Sequence, residues 1–267
     1  MEPNYRSVSL GELFNKLKTI FFKNRLAYIL YLLGLGVYNF SSMRLFEQTG
    51  SLLINLICSI LGGCFLLGFT TFAYISDNFE GEVSINSFFL PFQKLGGVVT
   101  FIVLQYIYVI IALVLVFLIT FGAYSDDLSS IDFNNIETVK LILMDGIGLF
   151  ISLFLLLLVL PYLMFNLAPH HFVLSEDGLV QSLLVSFEVF KKNWRTYLLI
   201  ILILTLSIMF LGFLFGALSE INERIFAVLG LSLLIFGFSF LMLIPYALLS
   251  LAMETNDSGL IEDFGQA

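Results

Sequence analysis

Residues 95–123 read LGGVVTFIVLQYIYVIIALVLVFLITFGA, without one charged side chain. A helix on the surface of a soluble protein keeps a polar face. This run is apolar on every side, and it exceeds the ~20 residues needed to cross a hydrocarbon core. Five further apolar runs flank it, at roughly 26–46, 51–76, 141–168, 196–219 and 225–253. All are continuously apolar rather than alternating, which selects helices over a transmembrane barrel. The expected fold is therefore all-α, a polytopic bundle of six transmembrane helices in one membrane domain over residues 1–267.

The composition agrees. The chain is 59% hydrophobic and only 12% charged, with a mean hydropathy of +1.01 and 30 phenylalanines. A net charge of −8 leaves no basic patch for nucleic acid once the membrane flanks are assigned. Cys58 and Cys64 both lie inside one apolar run, six residues apart, which argues against a disulfide or a metal role. No cofactor is expected. No cleavable signal peptide is read, and the first apolar run is expected to act as an uncleaved insertion signal.

The links "EQTG", "SDDLSSIDFNNIETV" and "EINER" between alternate spans are short and polar. Lys and Arg near the span ends fix the orientation. One side carries Arg6, Lys16, Lys18, Lys23, Arg25, Lys94, Lys191, Lys192 and Arg195; the other has Arg44, Lys140 and Arg224. The richer side should be cytoplasmic, with both termini there, in a bacterial inner membrane. Residues 254–267 form an acidic cytoplasmic tail.

Between the spans on that side lies GLVQSLLVSFEVFKKNW, residues 178–194. Leu179, Leu183, Phe187, Phe190 and Trp194 fall on one helical stripe, opposite Gln181, Glu188, Lys192 and Arg195. The pattern predicts an interfacial amphipathic helix, aromatic side in the acyl boundary and basic side toward headgroups. Residues 8–24 repeat it, with Leu10, Leu13, Phe14, Leu17, Ile20 and Phe21 against Glu12, Asn15, Lys16, Thr19 and Lys23. Both end in Lys-Asn. A weaker copy at 83–97 contains Pro91 and Gly96-Gly97. "LPYLMFNLA" (160–168) also matches "IPYALLSLA" (244–252). The chain reads as three units, 8–76, 83–168 and 178–253, each a surface helix followed by a helical hairpin. The headgroup-facing residues are expected to be Lys16, Lys18, Lys23, Lys191, Lys192, Trp194 and Arg195.

This combination, with Ser186, Phe190, Lys192, Asn193 and Trp194 in "VLSEDGLVQSLLVSFEVFKKNW" before a span, resembles the bacterial six-helix integral membrane families of uncharacterised function. These are related to the membrane region fused ahead of some glycerophosphodiester phosphodiesterases. The resemblance implies the architecture. It carries over no phosphodiesterase activity, since that domain is not in this chain.

Few residues offer chemistry. "APHHFVLSED" (168–177) holds His170, His171, Glu176 and Asp177. Adjacent histidines on a helix diverge by about 100°, so a shared metal is disfavoured, and Pro169 explains the segment as a break leaving the membrane. Asp145 falls in an apolar run near Lys140, where an interfacial position explains it better than a relay. Gln105 and Asn166 are the candidates for lining a cavity, although interhelical hydrogen bonds account for single amides. Pro161 and Pro245 should kink matching spans, their freed carbonyls met by neighbouring helices. No nucleophile elbow, phosphate-binding glycine loop or HExxH occurs. The expected function is non-catalytic: membrane organisation, or binding of lipid or a partner through the cytoplasmic helices. Its partners would be membrane lipids, with another membrane protein or a second copy beside them. The alternatives are a transporter or lipid-moving protein with a cavity between spans three and four, and an intramembrane lipid enzyme.

Overall fold

The structure is a computed structural model that describes residues 5–78, 83–124, 137, 146–219 and 223–253. Asp145 and the acidic tail at 254–267 lie outside the described residues. Every regular element among those described is a helix, and five helical stretches are long and apolar enough to cross a membrane. They are Arg25–Thr49, Leu53–Asn78, Ile85–Ala123, Ile147–Leu174 and Leu179–Phe210. The chain divides into two compact units. One contains the described residues up to Val99 and from Asn166 onward, the other Thr100–Phe165.

The first unit begins with α1 (Leu10–Lys23), started by a reciprocal cap. Ser9 Oγ accepts the Glu12 N–H at 3.2 Å, and Glu12 Oε2 accepts the Ser9 N–H at 2.9 Å. Its face of Leu13, Leu17, Ile20 and Phe21 is buried against the protein's own helices, while Phe14 and Phe22 stay exposed. The helix α2 (Arg25–Thr49) ends at Gly50, whose φ of 60° gives the left-handed turn a residue with a Cβ would resist. Next comes α3 (Leu52–Asn78). The Tyr31 hydroxyl donates to the Phe65 carbonyl at 3.0 Å and Tyr38 to that of Cys58 at 2.6 Å. The residue numbers run in opposite directions along the two helices, so α2 and α3 are antiparallel.

A 3-10 segment, Ile85–Lys94, follows and packs on α3. Ten residues is long for this geometry. It is held from outside: Thr71 Oγ1 donates to the Ser87 carbonyl at 2.7 Å, and Phe88 stacks on Tyr31 and Phe72 at 3.8 and 4.1 Å between ring centroids. Gly68 permits the approach, since a Cβ there would meet the Phe88 carbonyl oxygen at 2.3 Å. Tyr28 lies at the centre of this aromatic core, with Phe21, Phe69, Phe72 and Phe88 around it.

The last helices of the first unit are α7 (Ala168–Leu174), α8 (Leu179–Ser219) and α9 (Glu223–Met253). The expected surface helix at 178–194 and the span after it form one continuous helix of 41 residues. At ~1.5 Å per residue α8 is about 61 Å long, twice the ~30 Å hydrocarbon thickness. Of the expected lipid-facing stripe, Trp194 is 45% exposed, Leu179, Leu183 and Phe187 are half-buried and Phe190 is buried, and Ser182, Val185, Ser186, Val189, Asn193 and Tyr197 are buried beside it. Ser182 and Asn193 find partners within the protein on the buried side. The three segments read as surface helices thus differ in local form: a separate α-helix, a 3-10 segment and the first part of a long helix.

In the second unit, α4 (Leu95–Tyr124) continues from the first unit, and α5 (Ile147–Phe154) leads through a π-helical turn at Leu155–Val159 into α6 (Leu160–Phe165). Pro161 has no N–H for the Leu157 carbonyl four residues earlier. The Tyr108 hydroxyl of α4 donates to that carbonyl instead. Phe117 packs against Phe150 with ring centroids 5.6 Å apart.

Candidate functional site

A polar cluster gathers where α7 meets α8. Pro169 stands in the first turn of α7, where a missing N–H costs nothing. The two histidines that follow diverge as adjacent helical residues must. His170 Nδ1 pairs with Thr70 Oγ1 of α3 at 2.5 Å. His171 turns to α8, its Nδ1 3.2 Å from Ser182 Oγ and 3.3 Å from Ser175 Oγ, and its Nε2 3.6 Å from Asp177 Oδ2. Lys94 closes the cluster by donating to the carbonyls of Phe172 at 3.1 Å and Ser175 at 2.5 Å.

The order Asp177, His171, Ser182 has the connectivity of a nucleophile relay, but not its geometry. The Asp177–His171 distance exceeds a hydrogen bond, and Ser182 is fully buried, as is His171 at 1% exposure. A hydroxyl that no substrate reaches serves to fix helices. Here it ties α7 to α8 while His170 ties α7 to α3. Among the described residues no group of three His, Cys, Asp or Glu could hold a metal ion.

The Lys-Asn pairs form a second set of polar anchors. Lys23 donates to the Ser76 carbonyl at the end of α3, and Asn24 Nδ2 donates to Ser76 Oγ at 2.6 Å. Lys192 donates to the Tyr5 carbonyl at 2.5 Å. The buried Asn193 accepts the Val8 N–H at 2.6 Å and donates to the Arg6 carbonyl at 3.1 Å, while Thr196 donates to the Val8 carbonyl at 2.8 Å. The Arg6 N–H in turn donates to the Ala252 carbonyl of α9 at 3.0 Å. Residues 5–8 are thereby pinned between α8 and α9. Burial, with Asp177 and Glu188 nearby, pushes the Tyr5 hydroxyl above its ordinary value.

The expected headgroup residues divide accordingly. Lys16 pairs with Asp77 Oδ2 at 2.7 Å, and Tyr246 of α9 donates to the same oxygen at 2.8 Å. Lys16, Lys23 and Lys192 are thus engaged by the protein. Lys18, Lys191, Trp194 and Arg195 are exposed. The Arg195 guanidinium lies 5.3 Å from the Trp194 ring centroid, and Lys191 stands 3.8 Å from Glu188. Of the cavity candidates, Gln105 is exposed on α4, and Asn166 donates to the Tyr197 hydroxyl at 2.9 Å. The polar face expected on this segment, Gln181, Glu188, Lys192 and Arg195, gives no packing role to Asn193, Ser182 and Ser186, which are buried. The doubled Lys-Asn was the visible signal.

No family model, curated protein or solved structure matches the chain.

Proposed function

We propose that the chain is a six-span protein of a bacterial inner membrane, with both ends cytoplasmic, and that it organises anionic lipid at its cytoplasmic surface without catalysis. The sixth span is α9, 31 residues long. The observation that carries the reading is the division of cations on the segments preceding the spans. Lys23, Lys94 and Lys192 donate to backbone carbonyls of the protein, while the exposed Lys18, Arg25, Lys191 and Arg195 donate to none among the described residues, and the Arg195 guanidinium lies over the exposed ring of Trp194. Exposed cations just ahead of spans, one of them against an exposed tryptophan, suit phosphate headgroups. The sealed Ser182 and His171 offer no substrate path, which favours binding over reaction.

The test is lipid retention. The full chain is reconstituted in nanodiscs of mixed phosphatidylcholine and phosphatidylglycerol, and bound lipids are identified by native mass spectrometry. At ~1 kcal/mol per surface cation, phosphatidylglycerol should be enriched several-fold over its bulk fraction. The enrichment should vanish in Lys18→Gln/Arg25→Gln/Lys191→Gln/Arg195→Gln. Unchanged enrichment in that variant sinks the reading.

A further inference from the structure

We infer that a groove between α2, α3 and the 3-10 segment holds one acyl chain of a bilayer phospholipid. The groove has a cavity volume of about 340 Å³, within the range of small-ligand sites, and Tyr31, Gly34, Tyr38, Phe65, Ile85 and Phe89 line it. The tyrosines give it no polar complement. Tyr31 directs its hydroxyl to the carbonyls of Phe65 and Phe88, and Tyr38 directs its own to Cys58. Only the ring faces are left for an occupant, and an occupant with hydrogen-bonding groups would lose water without compensation.

Shape and place select the chain. The lining on α2 runs from Ala27 to Tyr38, and eleven steps of ~1.5 Å make about 16 Å, half the ~30 Å hydrocarbon thickness. The groove is therefore as long as one leaflet is deep. It is open at the side: Leu30, Ile85 and Phe89 on its wall are 54%, 58% and 45% exposed. These residues belong to helices long and apolar enough to span, so the opening faces lipid tails. An apolar void beside fluid tails fills, because its lining otherwise lacks dispersion partners on one side. Gly34 forms part of the wall, and a Cβ there would meet nothing within 4 Å. That space takes a lipid methylene without moving the protein.

The inference rests on the membrane-spanning reading and is independent of what the surface cations bind. The test uses the full chain in vesicles of phosphatidylcholine doped with a phosphatidylcholine carrying a diazirine midway along one acyl chain. After irradiation, labelled peptides are quantified. Label on α2 residues 27–38 and around Phe89 should exceed that on the exposed α4 face at Ile110, Ile111 and Leu118, where lipid exchanges freely. Gly34→Leu fills the groove, and its label should fall about threefold or more there while α4 labelling stays constant. Ala27→Leu is the second variant, used with circular dichroism if Gly34→Leu fails to fold. The inference is overturned if groove label never exceeds α4 label, if either folded variant leaves it unchanged, or if the groove crosslinks to a second copy instead. Absence of label on α4 as well would overturn the membrane reading itself.

Discussion

Tyr108 donates its hydroxyl to the Leu157 carbonyl, four residues before Pro161, which has no N–H to offer it. A proline in a span is tolerated when a neighbour supplies the missing donor, and here one side chain does so. Tyr108→Phe should destabilise the protein by about 1 kcal/mol, the scale of hydrogen bonds between helices in lipid. In a Pro161→Ala background the residue-161 N–H returns to the ladder, and the same substitution should cost close to nothing. Unfolding equilibria in mixed micelles measure both. Equal costs in the two backgrounds would remove the compensation argument.

Asn193 makes two bonds to residues 6 and 8 while buried at 2% exposure. Asn193→Ala removes the acceptor of the Val8 N–H and a donor to the Arg6 carbonyl, and should cost about 2–3 kcal/mol. Hydrogen exchange at the Val8 amide should accelerate by at least tenfold. An unchanged Val8 amide would mean that the segment is held by other contacts.

Tyr28 carries a fully buried hydroxyl with no well-formed hydrogen bond among the described residues. Ser76 lies beside it, and its Oγ already accepts from Asn24. Tyr28→Phe keeps the ring contacts and removes the desolvated group, so stability should rise by about 1 kcal/mol. A loss of stability would show that the hydroxyl is satisfied in the folded protein.

Lys16 and Tyr246 converge on Asp77, whose side chain is 17% exposed. A double-mutant cycle on Lys16→Met and Asp77→Asn should give a coupling of about 1–2 kcal/mol, above an exposed pair and below a fully buried one. Coupling indistinguishable from zero would place the pair among ornamental surface contacts.

The cap of α1 has a defined pH response. Hydrogen bonds from the Ser9 N–H and hydroxyl, and then the Arg6 guanidinium, hold the Glu12 carboxyl below its ordinary value. A depressed folded-state value means that the contribution is present above the unfolded carboxylate range. It is lost as pH falls through the lower folded value. Amide protection in the first turn of α1 should therefore decline in acid, and Glu12→Gln should abolish that dependence. Protection that stays flat for the parent chain would refute the cap.

Hydropathy alone marks the long helices, since a span must be apolar whatever its neighbours are. The expected 26–46 and 51–76 compare with Arg25–Thr49 and Leu52–Asn78. Proline also speaks locally, and the pairing of Tyr108 with the Leu157 carbonyl follows the expected logic. The Ser9–Glu12 cap is not among the expectations drawn from the sequence, although S-x-x-E is its spacing. Nor is the buried face of α8. The stripe through Leu179, Phe187 and Trp194 is expected to face lipid, and which polar residues pack on the protein is set by where the Val8 backbone and His171 stand, which are tertiary facts. The same reason hides the roles of Lys23 and Lys192. A lysine beside a span looks identical in sequence whether it meets a phosphate or a carbonyl.

The link from the Arg6 N–H to the Ala252 carbonyl joins residues that leave the ribosome nearly a full chain apart. Residues 5–8 are made early, yet α8 and α9 must be in place before they find their native partners. Assembly then closes like a clasp, with the early segment seated last. A translation product stopped before α9 would lack the Ala252 carbonyl that accepts the Arg6 N–H.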